Sequence, residues 1–179
     1  MMIDLKSAVR PAQLFHMFFT LGLVGVGTLA TLAVVATMFA PHATGVALVR
    51  FANLPAEGVT GAQAAAMVAL MLVSAALWAA MFGVGRRLCQ SLSDGSVDDA
   101  ADAATRLSHV LLALLVWSVI GQIAGSAAAS WHLGDGQRIV AVSLGTPQIS
   151  LALAAFMGVF LARAFTVGAQ LWRDHTEIV

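Results

Sequence analysis

RRLCQSLSDGSVDDAADAATR, residues 86–106, holds three Arg and four Asp, seven of the eighteen charged residues in the chain (nine Lys or Arg plus nine Asp or Glu). On both sides of it the sequence turns apolar. AQAAAMVALMLVSAALWAAMFGVG at 62–85 precedes it and LSHVLLALLVWSVIGQIAGSAAAS at 107–130 follows it. At ~1.5 Å of rise per residue, each run is long enough to cross a ~30 Å hydrocarbon core as a helix. The charged stretch therefore reads as a polar helical hairpin joining two membrane spans.

Further out lie two more apolar runs, at 14–40 and 149–167. The first would be about 40 Å long as a helix, so it tilts or protrudes. It is also far longer than the apolar core of a cleaved signal peptide, and no small-x-small site follows it, so it reads as a retained helix. Arg163 lies near the inner end of the last run, within snorkelling reach of the surface.

The composition agrees. Of 179 residues 60% are apolar and only 10% are charged, against about a quarter charged in a soluble domain. Such a chain cannot cover a water-facing surface. The expected fold is an all-α integral membrane protein, one domain of four spans in a bundle over residues 1–179. A net charge of zero gives no nucleic-acid footprint. A single Cys, Cys89, excludes an internal disulfide.

Lys and Arg set the orientation. Lys6, Arg10, Arg86, Arg87, Arg106, Arg163 and Arg173 fall on one side of the four spans, and only Arg50 and Arg138 on the other. Seven against two places both termini and 86–106 in the cytoplasm, across a bacterial inner membrane. Arg86 and Arg87 stop the second span at the inner surface, Asp94-Gly95-Ser96 turns the chain, and Asp98 and Asp99 complement the next helix dipole.

Capping patterns mark the helix starts: Thr60 with Gln63, Ser96 with Asp99, and Thr146 before Pro147. The outer loops read differently. GVALVRF within 41–61 and RIVAVSL within 131–148 are β-prone, the second after an Asp-Gly turn signal, and are expected to pair as a small outer hairpin or sheet, with irregular chain resting in the interface as the alternative.

Lipid tails give helices no hydrophobic reason to associate, so small residues mark the contacts. Gly121 and Gly125 form a GxxxG, Ala75, Ala79 and Gly83 a second stripe, and Ala154, Gly158 and Ala162 a third. These are expected to pack the bundle, with an interface between copies as the alternative. Gln122, beside the GxxxG, is expected to bond between helices.

His16 and His109 stand just inside the cytoplasmic ends of two spans, and His42 and His132 flank the outer ends. Paired His on two helices can ligate haem or a metal. All four lie where headgroups and water content a polar ring, so no cofactor and no metal is expected. Within the spans there is no Asp, Glu or Lys to relay protons. There is no nucleophile–base pair and no phosphate loop. The chain is not expected to be an enzyme.

Two stretches, LWAAMFGVGRRLCQSLSDGSVDDAADAATRLSHVLLALL and the C-terminal FLARAFTVGAQLWRDHTEIV, resemble a bacterial four-helix membrane family, domain-of-unknown-function family 2975. Phe165, Gly168, Leu171, Asp174 and Val179 occupy the family's C-terminal pattern. Val97 stands where the family has an aromatic residue, and Arg163 where members often carry an acidic one. The resemblance implies no enzyme activity. Many members are encoded beside a helix-turn-helix regulator, which implies membrane control of a cytosolic transcription factor. Asp94, Asp98 and Asp102, flanked by Arg86 and Arg87, are then the candidate docking residues. The alternatives are an accessory subunit of a larger membrane complex and an oligomeric pore or small-solute carrier.

Overall fold

The structure, a computed structural model, describes residues 5–133, 136–143 and 145–176, without the side chains of 5–13, Val97, Ala169 and 171–176. The Asp135 turn signal and the terminal Val179 lie outside the described residues. Among them all regular structure is helical: α1 Leu5–Phe39, α2 Pro41–Phe51, α3 Gly61–Asp94, α4 Val97–Ala129 and α5 Thr146–Thr176. Four of the five are long and apolar enough to cross a membrane, over Leu14–Phe39, Gly61–Asp94, Asp98–Ala129 and Thr146–Gly168. The chain is a multi-pass membrane protein. At 34 residues, α3 is about 51 Å long and outruns the hydrocarbon core.

The bundle is open. Helix α1 packs on α3, α3 on α4, and α4 on α5, so the spans stand in a row in chain order, and among the described residues α1 makes no extensive contact with α5. Few side chains are buried as a result. None of α1's apolar window is, and apolar surface such as Phe18, Leu29, Phe156 and Phe160 faces outward. In a bilayer lipid covers these faces.

Glycines make the contact between α1 and α3 close. A Cβ on Gly22 would come 2.8 Å from the Phe82 ring, and one on Gly85 would come 2.8 Å from the Phe19 ring. Each helix thus offers a ring to a glycine of the other. Phe19 and Phe82 also meet, with centroids 6.2 Å apart. Between α4 and α5 the contact is at Gly158, where a Cβ would lie 3.0 Å from Leu111, beside buried Ala155 and Ala162.

Among the described residues the expected outer sheet is absent, and the two β-prone runs do not pair. GVALVRF is the greater part of α2, which Pro41 starts with its fixed φ. Buried Gly45 seats α2 against α3, where a Cβ would meet Val59 at 2.8 Å and Ala64 at 3.0 Å. Packing overrides the strand propensity of Val46 and Val49. Residues 138–143 of RIVAVSL stay outside regular structure along α4.

The capping expectations divide. Thr60 Oγ1 accepts the Gln63 N–H at 3.2 Å as expected. Ser96 makes no side-chain cap; its hydroxyl turns back to Ser91 O at 3.4 Å. At α5 the cap sits one residue earlier than Thr146. Gly145 O accepts the Gln148 and Ile149 N–H groups, and Gln148 Oε1 accepts the Gly145 N–H at 3.0 Å.

Candidate functional site

At the charged end, Gly95 adopts a left-handed φ of 72° and closes α3, with its N–H on Ser91 O. The Ser96 N–H bonds to the same carbonyl. This tight turn sets the end of α3 beside the start of α4, and Ala100, Ala103 and Ala104 are buried there. Above these alanines a cleft of about 340 Å³ opens. Its charged lining is Arg87, Asp94, Asp99, Asp102 and Arg106. Residues 99, 102, 103 and 106 follow helical spacing, which is why one α4 face supplies them all.

Of the expected docking residues, the cleft collects Asp94, Asp102 and Arg87. Asp98 is exposed but does not line it. Arg86 points elsewhere: its Nε–H donates to His16 Nε2 at 3.0 Å, tying α1 to α3 at this end. Asp99, read from sequence as a cap, is a cleft residue instead.

The opposite end is held by a residue the sequence reading took only as half of a capping box. Gln63 is 5% exposed. Its Nε2 donates toward Ala128 O at 2.9 Å, Ala129 O at 3.0 Å and His132 Nδ1 at 3.0 Å. Two of these are orphan carbonyls at the C-terminus of α4. His132 Nε2 lies 2.6 Å from Pro55 O. Accepting at Nδ1 from Gln63 requires the tautomer with its hydrogen on Nε2, which then donates to Pro55. One glutamine and one histidine so clasp the α2–α3 loop, α3 and α4. Gln63 Oε1 is buried and finds no partner among the described residues.

From this clasp residues 139–143 run back along α4 as a strap. The Ile139 N–H bonds to Ser130 Oγ at 3.1 Å, the Ala141 N–H to Ser126 Oγ at 3.1 Å, and the Ser143 N–H to Gln122 Oε1 at 2.7 Å. Ile139 O lies 3.1 Å from Ser130 Oγ and Ala141 O lies 3.5 Å from Ser126 Oγ. The periods match: two extended residues advance about 6.6 Å, and one i,i+4 step on a helix about 6 Å. The bond expected from Gln122 to another helix goes to the strap, while its Nε2 donates to Ser118 O of its own helix. At the start of the strap the Arg138 guanidinium stacks over Trp131, 5.3 Å from the ring centroid.

Between α3, α4 and the start of α5 lies a cavity of about 720 Å³, lined by Ser74, Trp78, Trp117, Gln122, Gln148 and Leu151 among others. Trp117 Nε1 donates to Ser74 Oγ at 2.8 Å. Thr20, Thr28 and Thr31 each donate back to a carbonyl of α1, so these polar groups are satisfied locally.

The small-residue stripes are placed otherwise than expected. A Cβ on Gly125 or Gly83 would meet nothing within 4 Å. One on Gly121 would meet Trp117 of the same helix, and Gly121 and Ala154 line the cavity. Ala75 and Ala79 are half-buried. Of the named residues, Gly158 lies in a tight contact with another helix and Ala162 is buried. The histidines are also dispersed. His16 is on α1 and His109 on α4, two helices that make no extensive contact among the described residues. His42 is exposed at the start of α2, and His132 belongs to the clasp. Among the described residues, no three of His, Cys, Asp and Glu gather as a metal site.

No family model matches the chain, and no solved structure matches it. A glycerol kinase of Ectopseudomonas mendocina (strain ymp) is 26% identical over 122 residues, which cover 68% of this chain and 25% of the kinase. The likeness is to a quarter of a longer protein, at an identity that does not show a family.

Proposed function

We propose that this protein is a regulatory membrane protein without catalytic chemistry, one that docks a cytosolic partner in the cleft between α3 and α4. The carrying observation is the cleft itself, with three carboxylates and two guanidiniums facing one space beyond the apolar runs. The lysine and arginine bias orients that end toward the cytoplasm of a bacterial cell. The resemblance to family 2975 points to a helix-turn-helix regulator as the partner, and the surplus of carboxylates suits a basic surface on it.

The test is binding of a helix-turn-helix regulator of the kind encoded beside members of that family to vesicles carrying the protein, at two salt concentrations. Asp94→Asn with Asp102→Asn should weaken binding about tenfold at low salt and less at high salt, since exposed charges are screened. Equal binding by the double variant and the unchanged protein at both salts refutes the reading.

A second reading, an accessory subunit of a larger membrane complex, is favoured by the open row of spans. Mild-detergent extraction distinguishes the two, because a subunit copurifies with other membrane proteins and a docking protein with a soluble one.

A further inference from the structure

We infer that the strap 139–143 is a pairing edge for a second copy of this chain, the two straps meeting as an antiparallel ribbon about a two-fold axis through Ala141. The inference is independent of the docking cleft at the other end.

In an extended chain, alternate residues present their N–H and C=O to opposite edges. Ile139 and Ala141 turn theirs toward α4, as does the Ser143 N–H. The N–H and C=O of Val140 and Val142 therefore face away from α4. Among the described residues neither Val140 nor Val142 has a hydrogen-bond partner. Their side chains are 65% and 47% exposed, beside Ile139 at 46%. This is a short, uncharged, β-branched edge, the kind that templates pairing.

Its position makes the open edge costly. Gln122 lies two helical turns, about 12 Å, below Ser130, so the strap descends into the outer half of the span. Irregular backbone at that depth is tolerated only where protein or a wet cavity covers it.

The edge is self-complementary. With Ala141 opposite Ala141 of the second copy, Val140 and Val142 form hydrogen-bonded pairs across the ribbon. Four bonds then satisfy all eight outward groups of the two copies, with none left over. A two-fold contact of this type closes on itself. The neighbouring α4 surface leaves room for it, since the Cβ position of Gly125 is open. A soluble peptide would have to enter the bilayer to reach the same groups, whereas a second copy is already there.

The register supplies the test. Ala141 meets its own copy in a non-hydrogen-bonded pair, with Cα atoms about 4.5 Å apart, within disulfide reach. In native membranes, with Cys89→Ser as background, Ala141→Cys should oxidise to a disulfide dimer at least tenfold faster than Val140→Cys, whose symmetry mate is displaced along the ribbon. Val140→Pro with Val142→Pro removes the outward N–H groups and leaves the three bonds to α4. Combined with Ala141→Cys, it should abolish the crosslink while the protein still extracts as a folded monomer. Overturning results are equal crosslinking at 140 and 141, crosslinking that survives the two prolines, or a crosslinked product whose mass includes another protein.

Discussion

The connection from α3 to α4 and the connection from α4 to α5 solve the same problem by opposite means. The first turns the chain in two residues, with Gly95 in a left-handed conformation and one carbonyl, Ser91 O, receiving both turn amides. The second runs residues 139–143 back along α4, held by side chains rather than by a backbone ladder. Helices bring their own hydrogen bonds into lipid. A non-helical connection must borrow partners, and Gln122, Ser126 and Ser130 are the lenders. A turn closed by its own backbone needs only the right glycine, whereas an extended return along a helix takes a side-chain partner for each amide that faces the helix.

The strap is the place to break that contrast. Gln122→Leu, Ser126→Ala and Ser130→Ala together should cost about 3 kcal/mol, at about 1 kcal/mol for each hydrogen bond removed. The amides of Ile139, Ala141 and Ser143 should then exchange as fast as open chain, while α4 keeps its helicity by circular dichroism. If those amides stay protected, something other than the three side chains holds the strap.

Gln63→Leu should rank next, at roughly 2 kcal/mol, because it removes the amide from α4's last carbonyls and from His132. Its measure is the denaturant midpoint in detergent, together with proteolysis at the α2–α3 loop. A midpoint shift with no gain in loop cleavage would mean the clasp acts on α4 alone.

Gly95→Ala should cost about 1 kcal/mol through its positive φ, and Thr60→Ala a similar amount through its lost cap. Ser96→Ala should fall within about 0.5 kcal/mol, the usual range for a surface change, because its hydroxyl accepts no N–H of α4 and its bond to Ser91 O is long at 3.4 Å. Equal losses at Thr60 and Ser96 would restore the capping box to α4.

The smallest effect is expected at the GxxxG. Gly125→Leu should leave the monomer's midpoint within about 0.5 kcal/mol, whereas Gly85→Leu, driven into the Phe19 ring, should cost about 1–3 kcal/mol. If Gly125→Leu destabilises the monomer as much, α4 has a neighbour within the chain that this row of helices lacks.

The four spans were legible because twenty apolar residues in a row have few other uses. The turn at Asp94-Gly95 was legible because a glycine between a basic stop and an acidic start has a local meaning. RIVAVSL suggests a strand because it shows only one half of a pairing. The other half is a polar i,i+4 row, Gln122, Ser126 and Ser130, hidden in an apolar helix beside a more familiar glycine motif. Gly22 and Gly85 escaped notice for a related reason. Their importance comes from Phe82 and Phe19 on another helix, and no spacing within one helix announces that. In the cleft, the sequence named Asp94, Asp102 and Arg87, but the choice between Asp98 and Asp99 depended on which side of α4 meets α3.

The row of spans also bears on how the molecule is made. Each span leans on the transmembrane helix before it, so α3 finds α1 already in the bilayer, α4 finds α3, and α5 finds α4. Each span after the first meets its earlier neighbour as it arrives, and the short α2 is seated when α3 follows it. Assembly can keep pace with synthesis, one span at a time. A chain stopped after Ser130 would already own every helix contact except those made by α5.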